Sequence, residues 1–180
     1  MPTNSQTDLE RLNLLPANEA EDELLKCCGS KNWAREVTAA RPFKNVDELI
    51  VKADQIWWNL EPGDWLEAFR SHPKIGEKKA AAETAVEAQR WSDGEQSGIR
   101  NSPQQTLDAL AELNRFYEER FDFIFIVCAS GKSSEEMLAI LRARLDNNPE
   151  EELRIAAAEQ AKITQLRLGK LLAIKDQISK

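Results

Sequence analysis

The sequence predicts an all-α protein, a single-domain multi-helix bundle over residues 1–180 with one short buried extended segment. Three observations carry that prediction. Apolar residues recur at three- and four-residue steps along most of the chain, the period of a helix with one buried face. Polar capping residues stand ahead of those stripes again and again. Only residues 123–129, Phe-Ile-Phe-Ile-Val-Cys-Ala, are β-branched and aromatic enough to read as extended, and no second stretch of that character is present to pair with them.

The elements follow in chain order. Residues 16–28 begin acidic, end apolar and meet Gly29, a helix stop. Ser30 caps a short helix carrying Trp33 and Val37, which must end before Pro42. Asn45 with Glu48 three residues on resembles a capping box, and Leu49, Ala53, Ile56, Trp57 and Leu60 form the stripe behind it. Pro62-Gly63-Asp64 breaks the chain and restarts it into Trp65, Leu66 and Phe69. An alanine-rich helix is predicted over about residues 77–90. Residues 91–103, with two Gly, three Ser, an Asn and a Pro, are predicted to form a loop or broken helix. Ser102-Pro103-Gln104-Gln105 supplies a cap, a first-turn proline and a third-position glutamine to a helix striped with Leu107, Leu110, Asn114, Tyr117 and Phe121. Buried between helices, the extended 123–129 segment must bond its backbone groups to side chains or a ligand. Ser133 with Glu136 opens the next helix, and Asn148-Pro149-Glu150-Glu151 opens a long last one through Leu153, Ala157, Leu166 and Leu171. Residues 1–12 and 176–180 are predicted to fray.

Composition excludes several functions. A chain of 180 residues, 42% hydrophobic and 31% charged, suits one compact core and is neither disordered nor membranous in character. No apolar run approaches the roughly 20 residues of a membrane span. Residues 1–6 lack the basic-then-apolar pattern of a secretory signal, which predicts an intracellular protein. Acids outnumber bases 31 to 24, for a net charge of −7, whereas nucleic-acid binding needs clustered cations. Cys27 and Cys28 are adjacent and Cys128 lies in an apolar run, so buried reduced thiols are expected. One histidine and no Cys-x-x-Cys pair make a zinc site hard to assemble. Gly131-Lys132-Ser133 resembles the end of a phosphate loop, but Ile126 stands where its first glycine belongs.

Three places carry chemistry. The only histidine, His72, precedes Pro73, which keeps it out of helical geometry, and Gly76 allows an unusual turn nearby. This presents an imidazole from a rigid corner, unless it merely ends a helix where its charge suits the dipole. Ser92-Asp93-Gly94-Glu95-Gln96-Ser97-Gly98 crowds polar groups between glycines, where backbone can approach a ligand; a solvated capped helix start is the plainer reading. Arg167, flanked by leucines on the last helix, either turns inward or joins a surface salt bridge, and its planar fork suits a carboxylate or urea-like group.

Taken in order, His72-Pro73-Lys74-Ile75-Gly76, Ser92-x-x-Glu95-Gln96-x-Gly98, Phe125-Ile126-Val127-Cys128-Ala129 and Leu166-Arg167-Leu168 resemble the signature of the OHCU decarboxylase family, where OHCU is 2-oxo-4-hydroxy-4-carboxy-5-ureidoimidazoline. Trp33-Ala34, Arg41-Pro42-Phe43 and Asp64-Trp65-Leu66-Glu67-Ala68-Phe69 resemble it too, so the similarity covers about residues 24–172. The resemblance implies an all-α fold, no metal or organic cofactor, a cleft between helices for OHCU, and decarboxylation to (S)-allantoin at the end of urate breakdown. It implies His72 as the central catalytic residue with Glu95 as its acidic partner. Ser92, Gln96 and Arg167 match substrate-binding positions, and Pro73 and Val127 match positions that touch substrate through the main chain. A homodimer is implied as well, with neither a nucleic acid nor a membrane as partner. The chain is too short for the transthyretin-like hydrolase domain fused to some plant relatives. It ends Gln177-Ile178-Ser179-Lys180 rather than in a peroxisomal Ser-Lys-Leu, which favours the cytosol over the peroxisome. The rival readings are a non-catalytic helical interaction module, for which five tryptophans and an acidic surface would serve, and a decarboxylase of a related ureido or imidazoline acid.

Overall fold

The computed structural model describes residues 4–75, 86–99 and 101–172. Among them the regular structure is entirely helical, as the sequence predicts: α1 (Asn4–Leu14), α2 (Ala17–Cys27), α3 (Lys31–Ala39), α4 (Val46–Asn59), α5 (Pro62–Arg70), α6 (Val86–Glu95), a 3₁₀ turn (Ser97–Ile99), α7 (Gln104–Phe121), α8 (Ser134–Arg144) and α9 (Pro149–Leu171). None of these helices is long and apolar enough to cross a membrane. The chain forms two compact units, Met1–Ala68 with Ala161–Lys180, and Phe69–Gln160. The turn expected at Gly76, most of the helix expected over residues 77–90, and the frayed residues 176–180 lie outside the described residues.

In the first unit α2 packs on α3, α3 on α4 and α1 on α4. Ser30 Oγ accepts the Trp33 N–H at 3.2 Å, so the cap starts α3 where the sequence places it. Trp33, fully buried, donates its indole N–H to Ala53 O on α4 at 3.0 Å, locking two helices through one side chain. Asn45 Oδ1 caps the Glu48 N–H at 2.8 Å, while the Glu48 carboxylate reaches back to the Lys44 N–H at 2.6 Å.

Of residues 1–12, expected to fray, residues 4–12 belong to α1, where Leu9 and Leu12 are buried, and residues 1–3 lie outside the described residues. The reason lies 26 and 29 residues downstream. Arg41 Nη1 donates to Leu12 O at 2.6 Å and Leu15 O at 2.9 Å, satisfying carbonyls that the helix end leaves bare. Asn13 closes the joint, exchanging hydrogen bonds with both backbone groups of Phe43 at 2.8 and 2.9 Å.

In the second unit α7 packs on α8 around Leu110, Tyr117, Phe121, Phe125, Met137 and Leu141. Ser133 and Glu136 form a complete capping box for α8. Residues 124–129 have no regular structure, and 125–129 are buried as expected. Their backbone is held by side chains: Arg144 Nη1 donates to Ile126 O at 2.6 Å, Glu159 Oε2 accepts the Cys128 N–H at 2.7 Å, and Lys132 Nζ donates to Cys128 O at 2.7 Å. Burying an extended segment without a sheet therefore costs no unpaired groups at these positions.

Two local expectations are corrected. Helix α6 runs on to Glu95, past the end expected near Arg90, because Trp91, Ser92 and Glu95 share a buried face, and the 3₁₀ turn that follows keeps to the reading of a loop or broken helix. Burial of a tryptophan outweighs the modest helix cost of Ser92 and Gly94. At the start of α7 the capping position is Pro103 rather than Ser102, whose hydroxyl instead donates to Gly98 O at 3.4 Å.

Candidate active site

Helix α5 stops at Arg70, and Pro73 denies His72 helical backbone geometry. His72 sits on a bend, half-buried, its own N–H still bonded to Phe69 O at 3.1 Å. The imidazole is therefore presented from a corner, as the sequence predicts. Its Nε2 lies 2.7 Å from Oε1 of Gln160, a fully buried residue of α9. Pro73 beside it is buried.

Ser92 and Glu95 occupy the last turn of α6 and are both buried; Gln96 follows half-buried, its N–H bonded to Ser92 O at 3.0 Å. Glu95 lies close enough to the extended segment for its charge to act on Cys128. Burial chiefly raises the Cys128 thiol pKa; Lys132 and a backbone bond at Ser130 oppose it, and Glu159 and Glu95 add to it. Val127, buried, stands between the held groups of Ile126 and Cys128. His72, Pro73, Ser92, Glu95, Gln96 and Val127 all belong to the second unit. They lie on a bend, at a helix end and on an extended segment held by side chains.

Arg167 belongs to the first unit. It is buried rather than paired at the surface, and Nη1 reaches Lys26 O at 3.4 Å. Its charge acts on Cys28, whose thiol is pushed up to about 12 chiefly by burial, against lowering by a Ser30 backbone bond, Thr164 and Arg167. Cys27, Cys28 and Cys128 are buried, as expected, and none is in a disulfide.

Sequence reasoning missed Gln160. A signal was available: Gln160 interrupts the stripe Ala156, Ala157, Ile163, Thr164, Arg167, Leu168, and a polar residue on a buried helical face needs a partner. The reading of Gly98 as a ligand approach also changes. A Cβ there would stand 2.1 Å from Lys132 O, so the glycine admits another stretch of backbone, while Gly94 has open space around it.

Among the described residues no group of three or more His, Cys, Asp and Glu side chains is placed to hold a metal ion. The arrangement offers an imidazole, a buried carboxylate, a hydroxyl, primary amides and a fixed backbone segment, the equipment for binding a polar heterocycle and moving a proton on it. The fold places the chain in the class of all-helical proteins.

The comparisons narrow that class. The family model for OHCU decarboxylase matches residues 13–169. A crystal structure of OHCU decarboxylase in the presence of (S)-allantoin superposes with a TM-score of 0.73 at 41% identity, covering 84% of this chain and 98% of that one. The uric acid degradation bifunctional protein TTL of Arabidopsis thaliana is 40% identical over 159 residues, 88% of this chain and 49% of its own. This chain therefore spans about half the length of that relative. A 2-oxo-4-hydroxy-4-carboxy-5-ureidoimidazoline decarboxylase of Haloferax volcanii is 28% identical over 162 residues, 89% of this chain and 94% of its own. The chain belongs to the OHCU decarboxylase family.

Proposed function

We propose that this chain is a cofactor-independent carboxy-lyase that converts OHCU to (S)-allantoin in urate breakdown. The observation that carries the reading is His72 on its proline-enforced bend, its imidazole held at 2.7 Å by Gln160 in the unit that also buries Ser92 and Glu95. Family membership supports the substrate. One domain, working as a homodimer in the cytosol, is the form in which we propose it acts.

The substrate's name describes one ring carbon bearing a carboxylate and a hydroxyl, beside a carbon–nitrogen double bond. The bond to the carboxylate carbon breaks, carbon dioxide leaves, and the electron pair passes into the neighbouring unsaturation, whose nitrogen takes a proton from solvent. The enol so formed gives its hydroxyl proton to His72, and a proton returns to the adjacent carbon on one face. The substrate is its own electron sink, so the protein supplies orientation and proton handling. Histidine suits that role because its ordinary pKa of about 6.5 makes both forms accessible near neutrality. Such acid–base help is typically worth about 10²–10⁴ in rate. Glu95 serves as the acidic partner in this cycle. Ser92, Gln96, Arg167 and the main chain at Pro73 and Val127 bind the ureido, ring and carboxylate groups, contributing orientation.

Circular dichroism during urate degradation tests this. Urate oxidase and 5-hydroxyisourate hydrolase generate OHCU in place, and adding the protein should bring rapid growth of the (S)-allantoin signal, abolished in His72→Ala. Decay at the spontaneous rate to racemic product would reject the activity. Turnover of a related ureido acid with OHCU untouched would reassign the substrate.

A further inference from the structure

We propose that Gln160 is the positioning residue of His72, fixing a proton on Nε2 so that Nδ1 is the nitrogen that exchanges protons with the substrate. The second half of this statement rests on the decarboxylase reading; the first does not. An amide oxygen has no proton to give, so a 2.7 Å contact between Gln160 Oε1 and His72 Nε2 requires the ring nitrogen to donate. With Nε2–H committed, the neutral ring carries its basic lone pair on Nδ1.

The partner's chemistry matters as much as its position. A carboxylate on Nε2 would favour the imidazolium and hold the ring charged. A neutral amide oxygen accepts the same hydrogen bond from the neutral and the cationic ring. Orientation therefore survives while Nδ1 takes up the enol's hydroxyl proton and later gives one back. Gln160 is fully buried, where a long amide is retained only if bonded. Its neighbour on α9, Glu159, holds the Cys128 N–H at 2.7 Å. Two successive residues of one helix thus fix the histidine and the segment carrying Val127 to a common support, so ring and binding backbone keep their spacing.

The chain has one histidine, which makes the test direct. ¹⁵N-histidine labelling gives a single imidazole whose two nitrogens are read by NMR across pH, without substrate. The expected result above the ring's titration midpoint is a protonated, slowly exchanging Nε2 and an unprotonated Nδ1. Gln160→Met keeps the side-chain length and should leave the helical circular dichroism intact while Nε2–H exchange accelerates. Activity should then fall about 10- to 100-fold in kcat with KM within about threefold, because orientation of the acid–base group is lost and binding groups remain. Gln160→Glu should move the imidazole titration, and the pH profile of kcat with it, upward. An Nδ1–H tautomer in the wild-type protein, or Nε2–H exchange unaltered in a folded Gln160→Met, would overturn the proposal. A wild-type protein that shows the Nε2–H tautomer but leaves OHCU untouched would overturn the decarboxylase reading, and with it the role given to Nδ1, while the positioning stands.

Discussion

Glu159 Oε2 accepts the backbone N–H of Cys128 at 2.7 Å, so a helix side chain does for the extended segment what a neighbouring strand does in a sheet. Removing the carboxylate leaves a partly buried N–H without this charged partner. Glu159→Ala should cost about 1.5–3 kcal/mol in urea denaturation, the range for a hydrogen bond to a charged group. Glu159→Gln keeps an acceptor and should cost less than half as much. Because the bond lies next to Val127, Glu159→Ala should also raise KM, and equal stability of the two variants would show that the segment is held by other means.

Gly98 supplies a second test. Its Cα lies so near Lys132 that an added Cβ would stand 2.1 Å from the carbonyl oxygen, a backbone atom with no rotamer to escape into. Gly98→Ala should therefore force the 3₁₀ turn (Ser97–Ile99) away from the start of α8 and cost about 1–3 kcal/mol, as overpacking does. Gly94→Ala, on α6 with nothing within 4 Å of its Cβ, should be neutral or stabilising by up to about 1 kcal/mol. Thermal denaturation of the pair checks the contrast, and an Ala at 98 as stable as wild type would contradict the packing.

What was legible in the sequence is what is decided locally. Ser30, Asn45 and Ser133 each accept the N–H three residues on, and Asn148 does the same for Glu151 at 2.9 Å. Those bonds need no other part of the chain, so helix starts could be read directly. The buried 125–129 stretch was legible because its residue types suit little else. Three features were not. Helix α1 has a mostly polar sequence, and its end depends on Arg41 and Asn13 meeting partners about 30 residues away. Helix α6 passes through Gly94 because Trp91 and Glu95 are buried on one side, which no local propensity reports. Gln160 was hidden because its partner is 88 positions distant, although its place in an alanine-rich buried stripe marked it. Of the candidate site, the motif order pointed to His72 and Glu95; the atom on Nε2 required coordinates.

The thiols give a prediction about reactivity. Cys27, Cys28 and Cys128 are all buried, and burial pushes Cys28 up to about 12. Thiolate, the reactive form, is thereby suppressed as well as hidden. A disulfide-exchange reagent near neutral pH should titrate almost no thiol in the native protein and three after denaturation. The raised value also makes the Cys28 contribution to stability present below the ordinary thiol range and lost as pH rises above it. Rapid native labelling of one thiol would show that a buried face opens readily.

Arg144 and Glu152 make a buried ion pair, and Tyr117 completes it. Arg144 Nε donates to Glu152 Oε1 at 2.7 Å, the Tyr117 hydroxyl donates to the same oxygen, and Asn147 Nδ2 reaches Oε2 at 2.8 Å. Because Arg144 also holds Ile126 O, Glu152→Leu strands a buried guanidinium and loosens the site segment with it. It should cost about 3–5 kcal/mol in urea denaturation, whereas Tyr117→Phe, which leaves the pair intact, should cost about 1–2. The phenol adds a pH signature. Burial raises the Tyr117 pKa well above the ordinary value of about 10; Arg144 opposes this, and the bond and charge of Glu152 add to it. A raised pKa means the native state holds its proton more tightly, so this contribution is intact below about pH 10 and lost as pH climbs beyond it. Tyr117 is the only tyrosine, so phenolate absorbance reports on it alone. In alkaline titration that absorbance should appear only together with loss of helical circular dichroism, and Tyr117→Phe should unfold less steeply above pH 10. Phenolate forming ahead of unfolding would mean the hydroxyl is reached by water, and the Arg144–Glu152 pair would then be a partly solvated one of much lower worth.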